Sequence, residues 1–411
     1  MNRTILIISA VFVLTLGIVL GTYFFFLQGN NGGTSTSIRD VLPFGLGGSD
    51  RETSSRTPLN ANETSTGSAS TDSTPILELR QLHEKPVAGA ITFEEAGTST
   101  VRFVERESGH VFEITEEERT PRRITNTTLP RIQEALWATK EMVLLRYLSD
   151  TGDVQTFVAK VTLASAGDGV GELQGTFLPP DIISLAVRPG AAFYTVLGEE
   201  RGYVENLTSG VARSILPIPF TEWLPSWISP NRLALTSKPS ASAAGVLYTL
   251  NTETGSLSRV LGGRFGLVTL VSPDGNQVLF SERSSSGFSL HVFAIDSGSA
   301  TALPQRTIPE KCAWSSLLPK TAYCGVPDQV PGGEYPDVWY QGKISFTDAV
   351  WALNTADGSA ELLKRPLDVS GAMLDITNPL LTEDESHFVF TNKKDGTLWS
   401  LVLPSDETAT Q

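Results

Sequence analysis

The sequence predicts an all-β protein, a seven-bladed β-propeller preceded by one N-terminal transmembrane helix and a disordered linker. Three observations predict it: an uncharged apolar run over residues 5–27, a tract of small polar residues over 28–75, and a turn-and-strand unit that recurs from residue 76 onward. Composition agrees. Charged residues make up only 18% of the 411, while 36 Gly and 24 Pro supply many turns, a balance that favours short strands over long salt-bridged helices.

The apolar run comes first. From Ile5 to Leu27 there are 23 residues without a charge, which as a helix reach about 34 Å and so cross a bilayer core of about 30 Å. A cleaved secretory signal is the competing reading, but its apolar region is shorter, about 7–15 residues, and ends in small side chains. Here the run ends in Tyr23-Phe24-Phe25-Phe26-Leu27, which favours an uncleaved anchor. Arg3 precedes the span and Arg39 follows it, so charge asymmetry orients the helix only weakly, with its N-terminus in the cytoplasm. Gly17 and Gly21 form a small-xxx-small pair that would let two such helices touch.

Residues 28–75 hold nine Ser, eight Thr and seven Gly among 48 positions, with Phe44 the single aromatic. Such a segment buries too little apolar area to offset its ordering entropy. It reads as a flexible tether that holds a domain outside the cytoplasm. Domain limits follow: anchor 1–27, linker 28–75, propeller 76–404 and a disordered tail 405–411.

Within the propeller, stretches such as Gln277-Val278-Leu279-Phe280-Ser281 alternate like strands, and Ser272-Pro273-Asp274-Gly275-Asn276 just before reads as a tight turn. That turn recurs at Arg188, Ser229, Ser272, Ser315 and Thr382, in steps of 41, 43, 43 and 67. A second landmark, an apolar strand ending at Asn or Asp before a Gly turn, recurs at Asn206, Asn251, Asp296 and Asn354, in steps of 45, 45 and 58. A unit of this length with four short strands is a propeller blade. Blades are expected to begin near Pro86, Arg131, Asp181, Thr221, Arg264, Pro309 and Ala372. Six or eight blades remain open, because the first two units are degenerate. The last unit, ending TLWSLVLP, is one strand short, and Ile76-Leu77-Glu78-Leu79 is expected to supply that strand and close the ring.

SWISPNRLAL and LVSPDGNQVLF, each followed by a strand of the LYTLNTETG type, resemble the TolB-like repeat of bacterial propellers. In that family the turn after the innermost strand reads W-S-P-D-G. The resemblance covers the central blades, about a third of the chain. It implies a periplasmic or envelope protein that docks ligands or partners on one face of the disc. The Gly-His and Trp-Asp signatures of eukaryotic WD repeats are missing.

No catalytic motif is present. There is no G-x-S-x-G elbow, Gly167-Asp168-Gly169-Val170-Gly171 lacks the later glycine of a dinucleotide loop, and His83, His110, His291 and His387 are scattered without a second metal ligand at a useful spacing. No cofactor is indicated, and no enzyme activity is expected. A net charge of −14 argues against nucleic acid as a partner. Two features carry sharper expectations. Cys312 and Cys324 lie six residues either side of Leu318 in a segment that reads as a hairpin, so in an oxidising envelope they are expected to form a disulfide. An excess of 15 residues between Ser315 and Asn354, relative to Ser272–Asp296, places an insertion between the second and third strands of blade six. Its Tyr335, Trp339 and Tyr340 are candidate partner-binding residues, amphipathic rings of the kind that anchor interfaces; alternatively they cap the local core. The function expected is a membrane-tethered binding or scaffold module of the bacterial cell envelope, holding a protein, peptide or glycan. The alternatives are a polysaccharide hydrolase or lyase with carboxylates gathered in the channel, and a structural subunit of an envelope assembly.

Overall fold

The computed structural model describes residues 78–164, 169–179, 182–188, 193–198, 201–206, 212–217 and 222–404. The expected anchor 5–27, linker 28–75 and tail 405–411 lie outside the described residues. Among those described, no helix is long and apolar enough to cross a membrane.

The described residues form seven four-stranded sheets, each an antiparallel meander, in an all-β propeller. Their first strands begin at Val87, Ile132, Ile182, Trp223, Val268, Cys312 and Ile376; the sheets are numbered below in that order. Neighbouring first strands lie against one another at several junctions. The turns do what their residue types require. At Ser272–Gln277 the Asp274 carboxylate accepts the Asn276 amide at 3.0 Å, and Gly275 takes φ 72°, a conformation only glycine adopts without cost.

Where their side chains are described, second strands are largely buried on both faces. Val278, Leu279 and Phe280 are all fully buried, and Ser281 nearly so. The alternation expected there is therefore overridden, because each sheet is covered by a neighbour on either side, as in stacked sheets. Tryptophans join several sheets to their predecessors. Trp137 Nε1 donates to the Gly89 carbonyl at 3.4 Å, Trp227 to Ala186 at 3.3 Å and Trp314 to Leu270 at 3.3 Å. In each case the indole leaves a first strand and reaches the first strand of the sheet before it, burying a large ring while satisfying its N–H. Gly89 also lets the first two opening strands come close, since a Cβ there would stand 2.0 Å from the Ala135 carbonyl oxygen.

The ring closes through Leu79–His83, which pairs antiparallel with Leu398–Val402 as the outermost strand of the seventh sheet. The closing strand thus starts three residues later than the expected Ile76–Leu79, with Leu79 shared between them. The reason is burial: Leu79 and Leu82 are the residues that enter the core. In the sixth sheet, Cys312 and Cys324 are direct partners across the first two strands and are joined by a disulfide. On the face carrying the turns between first and second strands, the buried Glu385 carboxylate of the seventh sheet accepts the Ser315 hydroxyl at 2.5 Å and the Ser316 and Leu317 amides at 2.6 and 3.1 Å.

Candidate functional site on the loop-bearing face

The insertion connects Thr321–Pro327 to Asp348–Asn354, the second and third strands of the sixth sheet, where the residue spacing placed it. It contains the short helix Asp337–Tyr340. Its aromatics divide sharply. Tyr335 and Trp339 are each 1% exposed, while Tyr340 is 39% exposed. Tyr335, Trp339 and Phe346 pack with Val268, Phe288 and Ile308 in one apolar cluster. Phe288 meets the Tyr335 ring edge-on at 5.0 Å, and the Tyr335 hydroxyl donates to the Pro331 carbonyl at 2.7 Å. Of the three candidate partner-binding aromatics, Tyr335 and Trp339 are buried with their rings in this cluster. Tyr340 keeps an accessible edge and donates to the Glu310 carboxylate at 2.5 Å.

Beneath the insertion lies an ionic centre that the sequence did not disclose. Lys311, just before the first strand of the sixth sheet, is fully buried. Its Nζ donates to Asp348 Oδ2 at 2.6 Å, to Asp375 Oδ1 at 2.5 Å and to the Ile376 carbonyl at 3.0 Å. Asp375 accepts the Trp339 indole N–H at 3.1 Å and the Phe346 amide at 3.0 Å. The rings of Trp339 and Phe346 stand 5.2 and 5.1 Å from the same ammonium, within cation–π range. Asp348 Oδ2 also accepts the Ile376 amide at 2.6 Å, whereas Asp348 Oδ1 is buried without a hydrogen-bond partner. Two carboxylates thus share one ammonium away from water. Burial, reinforced by the neighbouring Asp375 and opposed by Lys311, pushes the Asp348 carboxyl up to about 6.

These contacts make the insertion a strap across four consecutive sheets. Asp337 accepts the Ala241 amide of the fourth at 2.5 Å; Tyr335 packs on Phe288 of the fifth. Lys311 belongs to the sixth, and Lys393 of the seventh donates to the Trp339 carbonyl at 2.7 Å. Loops between second and third strands, and between successive sheets, all converge here. The strap therefore has fixed walls, and two cavities can be described in relation to the fold.

The first, of about 750 Å³, opens between the turn at 284–287 and residues 330–333 of the insertion. Arg283, Arg306, Phe265 and Val330 line it together with serines and glycines; no carboxylate does. The second, of about 710 Å³, is bounded by first strands of the first, second, third and seventh sheets, and its lining includes Glu94, Glu134 and Glu383. Glu134 is paired with Arg146 at 3.5 Å. Among the described residues no group of His, Cys, Asp or Glu could hold a metal ion. His83 instead bonds Glu105 at 2.9 Å and His291 bonds Ser289 at 2.9 Å, each within its own sheet or beside it.

No family model matches the chain, and no curated protein matches it. Solved structures do. The tricorn protease matches with a TM-score of 0.50 and 10% identity over 79% of this chain, which spans only 34% of that protein. The extracellular domain of a provisionally assigned hybrid two-component system from B. thetaiotaomicron matches with a TM-score of 0.51 and 10% identity over 80% of this chain and 40% of that one. TolB from Acinetobacter baumannii is also similar, at a TM-score of 0.41 and 13% identity over 77% of this chain and 79% of that one. At such identities the first two likenesses speak for the propeller fold alone.

Proposed function

We propose that this chain is a membrane-tethered, extracytoplasmic binding or scaffold module of the bacterial cell envelope, which holds a protein, peptide or glycan on its loop-bearing face. The observation that carries this reading is the strap: an insertion fixed across four sheets builds one wall of an open cleft. A wall held rigid in the free protein lowers the ordering cost of binding. The uncharged run 5–27 and the polar tract 28–75 support the tether. Tyr340, at the surface of the strap, would contribute at the rim, while Tyr335 and Trp339 would act only by holding the strap in place.

The full chain, extracted from envelopes in mild detergent through an affinity tag, should retain a specific macromolecule and should fractionate with membranes. A second preparation carrying Tyr340→Ala should retain less of it with an unchanged melting temperature. Recovery of the protein in the soluble cytoplasmic fraction, with empty eluates from both preparations, would sink the proposal.

A further inference from the structure

We infer that the cleft between the 284–287 turn and residues 330–333 binds an acidic peptide segment, a carboxylate side chain flanked by apolar ones. This inference deepens the binding reading above and rests on it. Both guanidiniums in the cleft are held by neutral groups. Arg306 Nε donates to the Phe288 carbonyl at 3.3 Å, and its Nη2 to the Ser286 carbonyl. Arg283 Nη1 donates to the Ala241 carbonyl at 3.0 Å. Backbone carbonyls fix the orientation of a guanidinium without cancelling its charge, and each planar fork keeps donors suited to a carboxylate.

Nearby carboxylates do little to neutralise the pair. Among the described residues, Arg306 has no ion pair with a carboxylate, and Arg283 meets only Glu334, at 3.7 Å on an exposed side chain. Such a pair is worth little in water. Two charges of one sign are therefore kept together on a chain whose net charge is −14, which makes this a local site for an anion on a surface that otherwise repels one.

The rest of the lining separates peptide from glycan. Phe265 is 50% exposed, and Val330 lines the same cleft, so apolar surface accompanies the charges. A sugar acid would call for broad aromatic platforms, whereas Phe265 is the single ring in the lining and those of Tyr335 and Trp339 are committed to the core. The volume, about 750 Å³, suits a few residues of extended chain.

Fluorescence anisotropy with the full-length protein in detergent would test this, using a labelled ten-residue peptide of alternating glutamate and leucine. Saturable binding is expected, weakened about tenfold by Arg283→Gln and by Arg306→Gln and weakened again as salt is raised. An oligo-glucuronate of equal charge should compete poorly. Melting curves identify a variant that fails to fold; in that event Arg283→Gln, at an exposed position, decides. The inference is overturned if the parent does not bind the peptide, if both folded variants bind it equally well, or if the glucuronate displaces it more strongly than unlabelled peptide. Those results leave the broader reading intact whenever the envelope capture still retains a partner, and they sink only the cleft.

Discussion

Two carboxylates on one buried ammonium make Lys311, Asp348 and Asp375 the residues whose charge states matter most to this fold. With Asp348 raised to about 6, the native protein holds a proton that the unfolded chain releases near the ordinary carboxylate value of about 4. Linkage then fixes the sign: stability contributed by this group is present at low pH and falls as pH rises from about 4 to about 6. Denaturant titrations across that window should show unfolding free energy declining with pH, a dependence that Asp348→Asn flattens. The amide oxygen can still accept from Lys311 and Ile376, while its nitrogen stands where Oδ1 has no partner, so the variant costs a buried unpaired donor at every pH but no longer titrates. Lys311→Met should behave differently, leaving two buried carboxylates unpaired at a cost of about 3–5 kcal/mol. Trp339→Ala is expected to cost about 3–5 kcal/mol as well, because it empties a core position and removes a donor to Asp375. A lowered melting temperature for that variant is the expected outcome; unchanged melting with altered ligand binding would contradict its burial.

Among the elements, the first two strands of several sheets were legible because a repeated turn joins them. The Ser-Pro-Asp-Gly signal has a local cause in Asp and Gly backbone chemistry, so it marks where a first strand turns into a second without knowledge of the rest of the fold. The Trp137, Trp227 and Trp314 bridges explain why indoles recur on those strands, and an observer seeking period alone could have found them. The strap was legible as an insertion but not in its role. Whether Trp339 faces solvent or core depends on Lys311, Asp375 and Lys393, which lie far from it in sequence, and spacing carries no information about such meetings. The two arginines of the cleft were silent for the same reason. Cys312 and Cys324 were readable as a hairpin pair, because directly opposed strand positions depend only on the local register. Their bond pins the strand that follows Lys311. Replacing both with Ser should cost about 2–3 kcal/mol by the loop-entropy argument, seen as a lower melting temperature in oxidising buffer that converges with the parent's under reductant.

At the scale of the molecule, first and last strands share one sheet, and only Leu79–His83 closes it. Removing that strand would uncover the edge of Leu398–Val402 and leave Leu401, Phe388 and Leu374 less covered. A chain with Leu79 and Leu82 both changed to Asp should therefore self-associate, as measured by light scattering, and should lose cooperative unfolding; a monomer with parental melting would show that the closing strand is dispensable. The same arrangement has a mechanical side. Any pull exerted through the chain ahead of Glu78 enters the propeller at a five-residue strand at the edge of its sheet, held there by pairing with Leu398–Val402. The clasp is thus the point at which tension on a tether would be relieved, with the disulfide-pinned sixth sheet and its strap standing outside the line of force.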